Sequence, residues 1–179
     1  MGEFGQLGLF SPELLTRDHK VVGFACGRPA LDTWLRDMAL HNQLENYTRT
    51  FVVRNAAMEV KGYYALCAGV LFRKDAPKAL ARHGSPAELP VALLARLAVH
   101  NDVKGNGLGQ ALLAHALQSA CLAARQVALR AIMVDALDEQ AAELYRRHHF
   151  QETKIGPLKL VLPIADVLAS TELTERDKG

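Results

Sequence analysis

A mixed α+β fold is predicted by three features of this 179-residue sequence. Thr50–Arg54 and Val60–Phe72, rich in Val, Phe, Tyr and Leu, read as an antiparallel pair of strands. Val91–Val99 is an apolar run without alternation, which suits a strand buried on both faces. Leu112, Leu113, Ala116, Leu117 and Ala120 follow at helical spacing, and a further apolar run comes after them. Hairpin strands joined to a strand–helix–strand crossover give a central mixed sheet flanked by helices.

The elements follow in order. Leu31, Trp34, Leu35, Met38 and Ala39 recur at i, i+3, i+4, i+7 and i+8, which predicts one amphipathic helix over 30–42. Gly62 and Gly69 blur the ends of the second strand. Residues 73–89 hold two prolines, a glycine and the bases Arg73, Lys74, Lys78 and Arg82, and read as a variable surface loop with at most one helical turn. The strand opened by Pro90 is expected to be central in the sheet.

A polar turn, 100–106, leads to a helix starting near Gly109. Residues 128–136 form the next strand, Asp138 is a good N-cap, and Ala141, Leu144, Tyr145 and His148 mark one face of another helix. A short strand, 158–162, closes at Pro163. The sequence thus reads as one domain over residues 1–163 and a polar tail over 164–179, for which helix and disorder both stay open.

Composition narrows the classes. Half of the residues are hydrophobic and 22% are charged, the balance of a chain with a packed core. The apolar stretches stop well short of the ~20 residues of a membrane span. Residues 1–10 lack the basic region and apolar run of a secretion signal, and Gly2-Glu3-Phe4-Gly5 has the look of a cloning scar, so a cytoplasmic location is expected. Cys26, Cys67 and Cys121 are odd in number and far apart, which suits reduced, mostly buried thiols. His148 and His149 are adjacent and would point about 100° apart on a helix, so no metal site is expected. The net charge is +2, but the acidic tail leaves residues 1–163 at +4, a bias compatible with a polyanionic partner.

Between the buried strand and the helix lies Lys104-Gly105-Asn106-Gly107-Leu108-Gly109. Glycine permits positive φ and lets a ligand approach the backbone. Successive amides at a helix N-terminus form a concave donor set suited to a pyrophosphate. The Gly-Lys-Ser/Thr ending of a Walker loop is absent, and the position in the chain does not suit a dinucleotide fingerprint. A tight strand-to-helix turn without a ligand is the plain alternative.

Together with the preceding Leu94-Ala95-Arg96-Leu97-Ala98-Val99, and continuing through Gln110-Ala111-Leu112-Leu113, this segment resembles the acetyl-CoA-binding motif of GNAT acetyltransferases. The family's Gln/Arg-x-x-Gly-x-Gly/Ala signature is met by Lys104, Gly107 and Gly109, with Lys in the first place. Val134-Asp135-Ala136, Ala141-Ala142-Glu143-Leu144-Tyr145 and Phe150 look like the family's next strand and helix. Phe24-Ala25-Cys26-Gly27, Leu31-Asp32-Thr33-Trp34-Leu35, Thr50-Phe51-Val52-Val53 and Gly62-Tyr63-Tyr64-Ala65-Leu66 resemble a narrower group, the GNAT toxins of bacterial toxin–antitoxin pairs. One departure is His149, where the family usually has Gly; a locally adjusted loop is expected there.

The resemblance implies the GNAT acyl-CoA N-acyltransferase fold and acetyl-CoA as acetyl donor. Leu97, Ala98 and Val99 would line the cofactor, and the amides of Lys104, Gly105, Asn106, Gly107, Leu108, Gly109 and Gln110 would hold its pyrophosphate, with the Lys104 ammonium adding charge. The Val99 N–H would stabilise the oxyanion, and Tyr145, with an ordinary pKa of about 10, would protonate the leaving thiolate. Asp135 and Glu143 are the candidate bases, neither clearly aimed at the cleft. A water would serve instead if the acceptor amine is of low basicity.

The toxin subgroup implies aminoacyl-tRNA as the acceptor, its acetylation blocking translation, and Arg28, Arg49, Arg73, Lys74, Lys78 and Arg82 as bases flanking the acceptor stem. It also implies a homodimer, a ribbon-helix-helix antitoxin, and DNA contact through that antitoxin alone. Two rival readings remain open at this point. One is a housekeeping enzyme acetylating a small amine or a protein N-terminus; the other is a non-catalytic CoA-binding interaction module.

Overall fold

The computed structural model describes the backbone of residues 4–176 and the side chains of residues 4–170. In chain order the elements are β1 (Glu13–Leu14), α1 (Pro29–Asp37), α2 (Ala39–Leu44), β2 (Arg49–Arg54), β3 (Val60–Phe72), β4 (Glu88–Val99), α3 (Leu108–Ala124), β5 (Ala131–Asp135), α4 (Glu139–Arg147), β6 (Gln151–Thr153), β7 (Gly156–Pro163) and α5 (Ile164–Arg176). The strands follow the order β1-β2-β3-β4-β5-β7-β6, so β4 is central as expected. β1, β2 and β3 pair antiparallel, β4 and β5 parallel, and β7 antiparallel with both β5 and β6. The sheet is therefore mixed.

The chain divides into two compact units, Met1–Cys67 with Ala95–Ala116, and Ala68–Leu94 with Leu117–Gly179. In the first, adjacent tyrosines of β3 serve opposite faces of the sheet, as the two-residue period requires. Tyr63 donates its hydroxyl to the Leu31 carbonyl of α1 (2.9 Å), and the Tyr64 hydroxyl meets His115 Nδ1 of α3 (2.7 Å). Leu31, Leu35 and Ala39 pack with Val52, Val60, Tyr63 and Ala98 in one cluster. Gly62 is needed for close approach: a Cβ there would lie 2.9 Å from Leu112 Cδ1 and 3.3 Å from Leu108 Cδ2 of α3.

In the second unit, Leu71, Leu89, Val91, Ala131 and Val161 form a cluster that Ala76 and Leu80 complete. The 73–87 connection is thus more than a surface loop. It begins with a 3-10 turn, Arg73–Asp75, buries Ala76 and Leu80 fully, and is closed by the Arg73 N–H on the Ala87 carbonyl (2.8 Å). Helix α5 packs on β5 and β7, with Ile164 and Val167 buried.

Other differences from expectation are local. The helix expected over 30–42 breaks at Met38 (φ −121°, ψ −31°), where the chain restarts as α2 with Ala39 still in the core. β1 and β6 are two and three residues long, too short for a hydrophobic period to mark. Among the described residues no helix is long and apolar enough to cross a membrane.

Candidate active site

The glycine-rich turn lies wholly in the first unit. β4 ends at Val99, a 3-10 turn spans Asn101–Val103, and α3 begins at Leu108. The His100 N–H donates to the Lys61 carbonyl (2.8 Å) and the Asn101 N–H to the Ala25 carbonyl (2.9 Å), which fixes the strand end. The Asn106 amide donates to the carbonyls of Val103 (3.1 Å) and Lys104 (3.2 Å) and closes the loop from within.

This leaves the loop's N–H groups free. Among the described residues, the amides of 104–107 donate to no protein acceptor, and those of 108–110 belong to the first helical turn, which has no partners within the helix. Gly105 (φ 78°) and Gly107 (φ 79°) hold left-handed conformations, and a Cβ on either would meet nothing within 4 Å. Successive donors without protein acceptors at the positive end of a helix are an arrangement suited to an anion.

Lys104 is held differently. Its ammonium donates to the Cys26 carbonyl (2.5 Å), tying the loop to the 24–28 segment. That segment is built by Asp32, whose carboxylate accepts the Cys26 N–H (2.9 Å), while burial pushes the Cys26 thiol up to about 11. Leu97 and Val99 are half-buried, and Ala98 turns its methyl into the core.

Tyr145 lies in the second unit. Asp138 caps α4 by accepting the Ala141 N–H (2.8 Å), as its position predicts. At the other end, the Phe150 N–H reaches the Tyr145 carbonyl (3.1 Å) and the His149 N–H the Arg146 carbonyl (3.0 Å), the paired bonds of a Schellman cap. His149 takes the left-handed position (φ 67°) that glycine would fill, so the tight turn survives where an adjusted loop was expected. The cap carries its own apolar contact, the Tyr145 ring edge on Phe150 (centroids 5.5 Å). Tyr145 is only 6% exposed, and burial pushes its hydroxyl up to about 12. Here it is a protonated donor at any physiological pH.

The two candidate bases are both engaged. Asp135 holds Lys159 Nζ (2.5 Å), and Glu143 pairs with Arg147 (3.3 Å) and more distantly with Arg146 (3.8 Å). Of the six bases singled out, Arg73, Lys74 and Arg82 line one open cleft of about 750 Å³ in the second unit, with Phe72 and His83. Lys78 is outside that lining, and Arg28 and Arg49 belong to the other unit. Arg73 is anchored on the Ser85 carbonyl (2.5 Å), Arg49 on Asn46 Oδ1 (2.7 Å). Phe72, 48% exposed, and His83 escaped notice because an outward ring on a strand end and a histidine in a loop have no sequence signature.

Residues 14–152 match the acetyltransferase (GNAT) domain model. The chain belongs to the GNAT acetyltransferase family. This GNAT enzyme is 37% identical over 162 residues to the tRNA-acetylating toxin of Mycobacterium tuberculosis, covering 90% of this chain and 96% of that one. It is 27% identical over 161 residues to the Probable toxin TacT of Sinorhizobium fredii, covering 83% and 87%.

Solved structures agree with the fold. AtaT complexed with acetyl-methionyl-tRNAfMet matches with a TM-score of 0.85 at 25% identity, covering 91% of this chain and 99% of that one. A tyrosine-to-phenylalanine mutant of AtaT, bound to the C-terminus of the antitoxin AtaR and acetyl-CoA, matches at 0.75 and 25%, covering 89% and 95%. AtaT in a complex with AtaR and DNA matches at 0.75 and 25%, covering 90% and 99%.

Proposed function

We propose that this GNAT enzyme is a toxin that transfers the acetyl group of acetyl-CoA to the α-amino group of aminoacyl-tRNA and so blocks translation. The observation that carries the reading is the 37% identity, over nine-tenths of the chain, to a tRNA-acetylating toxin. The likeness to AtaT with acetyl-methionyl-tRNA bound supports the same acceptor.

The amides of Lys104, Gly105, Asn106, Gly107, Leu108, Gly109 and Gln110 fit the diphosphate of the donor, and the backbone of Leu97, Ala98 and Val99 fits its pantetheine. Acetyl-CoA supplies an activated thioester. The Val99 N–H is assigned to the carbonyl oxygen that gains negative charge, and the Tyr145 hydroxyl to the proton that the departing thiolate needs. Asp135 and Glu143 are spent on ion pairs, so a water takes the amine's last proton. The α-amine of an aminoacyl ester is weakly basic, which makes that step easy.

Arg73, Lys74 and Arg82 form the basic cleft for the RNA backbone, with Arg28, Arg49 and Lys78 as further phosphate contacts. A cytoplasmic homodimer held by a ribbon-helix-helix antitoxin, through which alone the complex touches DNA, completes the proposal. AtaT's complexes with AtaR support the antitoxin. The test is incubation with labelled acetyl-CoA and a mixed pool of charged tRNAs. Label is expected on the aminoacyl amine, with growth arrest on induction; label only on polyamines or protein N-termini defeats the proposal.

A further inference from the structure

Arg96 sits in β4, in the first unit, three residues before Val99. Its guanidinium lies over the Trp34 ring of α1, with Cζ 4.8 Å from the centroid. Trp34 in turn stacks on Tyr63 (centroids 5.9 Å, planes 15° apart), and Tyr63 is locked by its bond to the Leu31 carbonyl. Three planar groups are thus held in series by three elements of one unit.

The charge on this stack is not neutralised. Arg54, Lys61 and Arg146 are also partly buried, and each holds a carboxylate: Glu13 (2.7 Å), Asp102 (2.8 Å) and Glu139 (2.5 Å). Arg130, likewise partly buried, has among the described residues only the Ala79 carbonyl (3.4 Å) and no aromatic ring beneath it. Among the described residues Arg96 has no such partner. It donates to the Ala95 carbonyl (3.0 Å), and its other N–H donors have no protein acceptor. A half-buried guanidinium normally acquires a carboxylate, because desolvation of an unpaired charge is unfavourable. One kept free and held flat on a tryptophan is a fork prepared for a planar or tetrahedral oxyanion from outside.

We infer that Arg96 binds the phosphate of the acceptor's terminal nucleotide, with Trp34 as its positioning residue. The inference rests on the proposed acceptor and adds to it. The donor's diphosphate is assigned to the amides at 104–110, and its 3′-phosphate lies on the nucleoside beyond that diphosphate. Arg96, three residues before Val99 on the strand assigned to the thioester, is therefore assigned to the acceptor. At about 3.3 Å per residue, Arg96 stands roughly 10 Å along the strand from Val99, the scale of one nucleotide.

The experiment compares two acceptors that differ by one phosphate, 2′(3′)-O-aminoacyl-adenosine with and without a 5′-phosphate, in kcat/KM at fixed acetyl-CoA. The wild type is expected to prefer the phosphorylated acceptor about tenfold or more, through KM. Arg96→Gln removes most of that preference, Arg96→Lys keeps part of it, and Trp34→Leu lowers it while leaving the charge in place. With charged tRNA, Arg96→Gln lowers the slope of log affinity against log salt by about 0.7. Because the readout is a ratio, a general loss of fold cancels. An unchanged ratio in Arg96→Gln, or no wild-type preference, overturns the inference alone. Failure of the wild type to acetylate either compound, while it acetylates other amines, overturns the proposed acceptor with it.

Discussion

Tyr64 and His115 face each other across β3 and α3, with the phenol oxygen 2.7 Å from Nδ1 and Phe51 stacked on the Tyr64 ring (centroids 5.0 Å). When Nδ1 accepts the phenol proton, the imidazole is neutral and carries its hydrogen on Nε2. Burial lowers the His115 pKa below its ordinary value, because the charged ring would lose its water.

The sign of the pH effect follows. The unfolded chain binds a proton on this histidine as pH falls through about 6.5, and the folded chain resists it, so stability present above that value is lost below it. Thermal unfolding at pH 7.5 and pH 5.5 is expected to show a smaller drop in Tm for His115→Gln than for the wild type. An equal drop would mean that this ring does not titrate on unfolding.

The Tyr145 hydroxyl, raised to about 12 by burial, keeps its proton well into the alkaline range. Tyr145→Phe is expected to lower kcat by about a hundredfold or more while acetyl-CoA affinity changes less than twofold. The variant keeps the ring contact with Phe150, so stopped-flow and calorimetry on it separate chemistry from packing. The wild-type rate should show no alkaline fall near the ordinary tyrosine value of about 10.

His149 occupies a left-handed position at the end of α4. A side chain there costs roughly 1–2 kcal/mol, and glycine recovers it at an entropic cost of about 0.5–1 kcal/mol. His149→Gly should therefore stabilise by about 0.5 kcal/mol or slightly more, a rise of roughly 2 °C in Tm. His149→Val should lower Tm, since a β-branched residue fits the conformation worst.

Gly107 has φ 79° and empty space where a Cβ would go. Gly107→Val meets no steric clash, but relieving its backbone strain turns the loop amides away. Calorimetry should find acetyl-CoA bound about tenfold more weakly or worse, and Tm should fall, because a β-branched residue is strained at this φ even with space around it. Unaltered affinity would remove the amide loop from the donor site.

Much of the fold was legible because it depends on local period and spacing. The apolar stripe of α1, the unbroken run of β4 and the Asp138 cap each follow from residues that are neighbours in the chain. The glycines at 105 and 107 announced a turn of left-handed residues for the same reason: only glycine takes those dihedrals cheaply. The break at Met38 was not legible, since Ala39 keeps the apolar pattern across it.

What the chain by itself determined, then, is the class of fold, the amide loop, and the tyrosine at the end of α4. Tertiary structure alone decided which charges are spent. Lys104 went to the Cys26 carbonyl, Asp135 to Lys159 and Glu143 to Arg147, while Arg96 was left on Trp34 without a carboxylate. The reason is physical: secondary structure is written in short-range sterics and periodicity, but an ion pair depends on which distant side chains the fold brings within a few ångströms.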